Sequence, residues 1–72
     1  MTSILTNEEK VTIVTQHIKN VDYAIYNLEL SMVEENSVAS TDAAKITSLT
    51  AQLNDTEAQK AALELELGKL SE

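Results

Sequence analysis

Glu34-Glu35-Asn36-Ser37-Val38-Ala39-Ser40-Thr41-Asp42 decides whether this chain is one long helix or two shorter ones. Asn, Ser and Thr compete for backbone hydrogen bonds and favour caps and turns over helix interiors. Thr41 followed by Asp42 suits a helix start, with Thr41 as N-cap and an acid in the first turn. The carboxylates of Glu35 and Asp42 stand where a continuous coiled coil would need apolar core residues. Two weaknesses, polar composition and misplaced charge, therefore coincide here, and a turn accounts for both.

Upstream, Val11, Val14, Ile18, Val21, Ile25, Leu28 and Met32 repeat at alternating spacings of three and four. This is the stripe of an amphipathic helix, and the period of two expected of a strand is absent. Thr6-Asn7-Glu8-Glu9 ahead of it reads as a capping box, with Thr6 and Glu9 satisfying each other's backbone N–H groups. Met1 to Leu5 is then a short lead-in. Downstream, Ile46, Leu49, Leu53, Thr56, Lys60, Leu63, Leu67 and Leu70 keep the same spacing, interrupted by Thr56 and Lys60. Ala43, Ala44, Ala51, Ala58, Ala61 and Ala62 raise helix propensity, and Gly68 is placed to cap the end.

The phase of the heptads favours a rod. Counted in sevens, Val11, Ile18, Ile25, Met32, Ala39, Ile46, Leu53, Lys60 and Leu67 form one unbroken series, as a single long helix in a coiled coil would show. Glu34 and Glu35 also suit the end of a first helix badly, because the dipole there prefers cations. In a parallel rod, however, like carboxylates would meet at the axis, and burying unpaired charge is costly. The expected fold is all-α: a two-helix antiparallel hairpin with helices over about 7–35 and 41–68, the single long helix being the alternative.

Size argues for partners. At 72 residues with no Cys, the chain has neither a large core nor disulfides to supplement it. The first helix also has a second apolar face: Tyr23, Tyr26, Leu30 and Val33 follow helical spacing away from the main stripe. Together with Val21 they are the expected interface, because a helix apolar nearly all round needs several neighbours. One partner helix cannot cover both faces, so self-association into a four-helix or larger bundle is expected.

Composition excludes other classes. Apolar residues make up 43% and charged residues 24%, which is globular rather than disordered. The net charge of −7, with five Lys and no Arg, disfavours contact with nucleic acid or anionic lipid. No apolar run approaches the ~20 residues of a membrane span. The N-terminus lacks a basic stretch leading into an apolar one, so no secretory leader is read and cytoplasmic residence is expected. His17 has no carboxylate at helical spacing, so a metal site is not read there. Asp55, Glu57, Gln59 and Glu66 imitate calcium-loop spacing, but Lys60 stands where such a loop needs Gly. No cofactor or catalytic set is drawn, and no enzyme is expected.

The reading is a structural or adaptor protein whose partner is itself, or a larger protein that accepts a helical face. The alternative is an acidic inhibitor that imitates nucleic acid and fills a basic groove. A weaker option is a ligand site shared between copies around Tyr23 and Tyr26.

Overall fold

Twenty-eight to thirty residues per arm give each helix enough length to hold a stripe of about four heptads, and the computed structural model shows two such helices packed as a hairpin. It describes residues 4–71: α1 is Asn7–Asn36 and α2 is Ala43–Leu70, with no strand among the described residues. Met1 to Ser3 of the lead-in, and Glu72, lie outside the described residues.

Local chemistry starts and stops the helices. At the head of α1 the Glu9 N–H donates to Thr6 Oγ1 at 3.1 Å and the Thr6 N–H donates to Glu9 Oε1 at 2.9 Å, completing the capping box. The Thr6 backbone N–H, and then its hydroxyl, hold the Glu9 carboxyl below its usual range. At the foot of α1 the Ser37 hydroxyl and N–H both donate to the Glu34 carbonyl. The expected N-cap of α2 shifts by one residue. Asp42, not Thr41, takes the role, its Oδ1 accepting from Ala44 N at 3.0 Å and Lys45 N at 3.3 Å. A carboxylate adds charge to the same acceptor geometry at the positive end of the helix, which favours it over the hydroxyl. Nor does α2 end at Gly68: it runs to Leu70, with Ser71 as C-cap and Gly68 in helical conformation. Leu70 belongs to the apolar stripe, and its carbonyl accepts a long 3.5 Å bond from Asn7 at the head of α1. Packing carries the helix past a glycine whose propensity cost is about 1 kcal/mol.

Glu35 has a different place from the one its helix suggests. Its carboxylate leans across the turn instead of facing the negative end of α1 alone. Oε1 accepts from the Asp42 N–H at 3.0 Å, Oε2 lies 3.4 Å from Lys45 Nζ, and the side chain is only 13% exposed. The acid that argued against a hairpin is a clasp at the start of α2.

Both stripes expected from the sequence face each other, every member at least half-buried. The register follows from the cross-arm contacts Asn7–Leu70, Asp22–Lys60 and Glu35–Lys45. It sets Met32 level with Leu49, Leu28 with Leu53, and Ile18 with Leu63. Among the described residues only Leu49 is buried, and at 8% exposure even it is not sealed from water. The particle measures 55 × 18 × 15 Å, with a radius of gyration of 16.6 Å, against about 11 Å for a compact domain of this length. Its accessible surface of 5445 Å² exceeds the roughly 4,400 Å² of a compact monomer of this mass.

Leu49→Ala therefore removes the best-covered side chain of a thin seam, and urea unfolding should show a loss of about 2 kcal/mol. Leu65→Ala, at a site 65% exposed, should change stability by less than about 0.5 kcal/mol. Equal effects at the two sites would contradict the register.

Candidate interaction surface

Turning α1 about its axis separates its apolar residues into two stripes. The first faces α2. The second, Tyr23, Tyr26, Leu30 and Val33, lies on the far side at spacings of three, four and three. These four side chains are 60%, 61%, 41% and 64% exposed. Val21 does not join them: it is half-buried in the seam against α2. Four of the five residues expected at the interface thus share one open face, and the fifth holds the hairpin together.

The open stripe extends over about 15 Å of helix at 1.5 Å per residue. With about 200 Å² available per Tyr side chain, its exposed area comes to roughly 400 Å². That matches the largest apolar patch of a typical monomer, the kind of patch that marks interaction sites. One border of the stripe runs through Asn20 and Asn27 to Glu34, while Gln16 and Lys19 continue its lines toward the N-terminus. Gln16 donates through Nε2 to Asn20 Oδ1 at 3.0 Å. The other border carries Asp22 and Glu29. On the opposite flank of the hairpin, Ala44, Ala51 and Ala58 lie exposed in line with Leu65.

The seam has a polar waist at the two positions that interrupt the second stripe. The Thr56 hydroxyl donates to its own helix, to the Gln52 carbonyl at 2.7 Å, and so needs no partner across the seam. The Lys60 ammonium swings out to Asp22, with Nζ 2.7 Å from Oδ1. Its aliphatic stem covers the seam while its head stays wet, a familiar use of lysine at the edge of apolar surface. The Asp22 hydrogen bond and then its charge raise the Lys60 pKa. Asp22 is thus engaged within its own chain. Sequence alone offered one signal for these bridges: Asp22–Lys60 and Glu35–Lys45 straddle nearly the same midpoint, near Ser40 and Thr41.

Chemical groups do not converge. His17 is exposed on the flank of α1. Among the described residues no three His, Asp or Glu side chains stand together as a metal site, and there is no pocket. No described helix is long and apolar enough to cross a membrane. What the surface offers is an apolar helical face with a polar rim. No family model matches the chain, and no curated protein or solved structure matches it.

The Lys60 contact has a pH signature. A raised pKa means that the contact stabilises the fold below the ordinary lysine value of 10.5 and is lost as pH climbs through the folded value. Wild-type protein should lose melting temperature above that pH more steeply than Lys60→Met, whose thioether fills the same seam position without a proton. Parallel losses in the two proteins would show that the contact does not stabilise the hairpin.

Proposed function

We propose that this chain is a non-enzymatic assembly module: a helical hairpin that builds a structural or adaptor particle by packing the outer face of α1 against a second copy. One observation carries the reading. Tyr23, Tyr26, Leu30 and Val33 repeat at coiled-coil spacing on a face that α2 cannot reach, and all four are exposed in the single chain.

Area and chemistry support a second copy as the occupant. Two such stripes would remove roughly 800 Å² from water, about half of a standard interface. The remainder can come from the rest of α1, whose 30 residues span about 45 Å. Beside Tyr23 and Tyr26 the border is Asn20 and Asn27, which a neighbouring helix can cover without desolvating a charge, while Lys19 and Glu34 mark the two ends of the contact. Tyrosines supply large contact area with their hydroxyls at the wet edge, as interfaces favour. Packing α1 against α1 encloses the apolar stretch 21–33 from both sides and yields a bundle of four helices. The acids fit the same role, because a net charge of −7 keeps an otherwise adhesive hairpin soluble.

A second reading rests on the charge. Of the described acids only Asp22, Glu35 and Glu66 make ion pairs, which leaves most carboxylates free to imitate phosphates on a basic-grooved protein. The two readings respond oppositely to salt. Apolar packing keeps its strength at high ionic strength, whereas contacts between exposed charges are screened.

Light scattering at micromolar concentration distinguishes them. The wild-type mass should exceed that of one chain and persist in 1 M salt, where the Debye length is about 3 Å. Leu30→Glu should reduce it to one chain while circular dichroism keeps its helical signal. A single-chain mass for wild type would refute the module.

A further inference from the structure

The turn that closes this hairpin contains no residue whose backbone dictates a reversal. It has neither Gly nor Pro, and no described residue adopts a positive φ. Ser37 is already in the right-handed helical region, at φ −88° and ψ −8°. Asp42 is extended, at φ −85° and ψ 106°, and needs chiefly a rotation in ψ to become helical. Two helices joined by such a segment can have their stripes in any relative phase, yet here the heptad count runs through the turn unbroken. Chance would produce that match in roughly one phase of seven.

We infer that the hairpin is built to open and exchange its second arm with another copy, giving an antiparallel pair of continuous helices. The geometry of the seam permits this without loss. The two cross-arm ion pairs, Asp22–Lys60 and Glu35–Lys45, straddle a midpoint near Ser40 and Thr41. Two straightened chains aligned antiparallel about that midpoint repeat each layer of the hairpin between copies: Met32 level with Leu49, Leu28 with Leu53, Ile18 with Leu63. Asp22 again meets Lys60, and Glu35 again lies level with Lys45, each pair now shared between chains. At the centre Ala39 sits across from Asp42 of the second copy. The Asp42 carboxylates therefore occupy different layers, and the clash of like charges that burdens a parallel rod does not arise.

What holds the closed form is the turn chemistry. The Asp42 N–H on Glu35 and the Asp42 cap on Ala44 and Lys45 exist only while residue 42 stays extended. A short loop also gives the intramolecular seam an effective concentration in the millimolar range. Exchange is therefore governed by concentration and by the helix propensity of the six residues from Ser37 to Asp42. This mode uses the seam, not the outer stripe, and stands or falls separately from the assembly proposed above.

The test is made in the Leu30→Glu background, where the outer stripe cannot contribute. One variant adds Ser37→Ala, Val38→Ala, Ser40→Ala, Thr41→Ala and Asp42→Ala; the other adds Val38→Gly and Ser40→Gly. Small-angle X-ray scattering and light scattering follow both over a concentration series. The alanine variant should form a two-chain particle about 95 Å long, the length of one helix from residue 7 to 70. Its half-exchange concentration should fall at least about tenfold below that of the parent, since each Ala gains roughly two- to threefold in helix propensity. The glycine variant should stay a single chain near 55 Å at every concentration. An alanine variant that remains a short single chain, dimerises without lengthening, or loses its helical signal overturns the inference, as does a glycine variant that lengthens equally.

Discussion

The contact between α1 and α2 is one-sided. Each stripe residue meets the other helix along one edge and water along its flanks, so a chain with 43% apolar residues has only Leu49 buried among its described residues. Every other feature answers to that constraint. The capping box at Thr6 and Glu9, the Asp42 cap and the clasp at Glu35 add local stability that a thicker core would make unnecessary. The apolar surface on the back of α1 follows from the same geometry, because two rods cannot enclose each other.

Charge is placed to serve the seam rather than to fill it. Lys60 and Glu35 both stand at heptad positions that ordinarily hold aliphatic side chains, and both turn their charged ends to a partner on the other arm. Each pair is at least partly solvated, so its Coulomb contribution is modest. Its value lies in register: only one alignment of the arms brings Asp22 to Lys60 and Glu35 to Lys45 together, whereas aliphatic layers alone tolerate sliding by a heptad.

Much of this was legible in the sequence. The spacing of Val11 to Met32 and of Ile46 to Leu70 named the seam residue by residue, and Thr6 with Glu9 named the first helix start. These are local signals, repeated every turn or closed within four residues. The errors fell where the deciding contact was distant. Leu70 carries α2 past Gly68 because it packs near Asn7, at the opposite end of the chain. Glu35 looked ill-suited to the end of a helix because its partners, Asp42 and Lys45, become neighbours only after the chain reverses. Val21, named with Tyr23 because the stretch 21–33 is apolar nearly all round, lies in the seam, since two residues along a helix are far apart around it. The open face of Tyr23, Tyr26, Leu30 and Val33 was readable from spacing; what covers it is a question of binding, which periodicity does not address.

The polar waist at Thr56 and Lys60 divides the seam into two apolar blocks. One, around Leu28, Met32, Leu49 and Leu53, adjoins the clasped turn. The other, around Val11, Val14, Leu67 and Leu70, carries a long 3.5 Å bond from Asn7 to Leu70. Opening the free ends costs the second block alone, while the first stays shut. Backbone amides near the termini should thus trade their hydrogens for deuterium through partial unzipping, and those beside the turn only when the whole molecule unfolds. The hairpin behaves as a forked clamp, with its grip graded along its length.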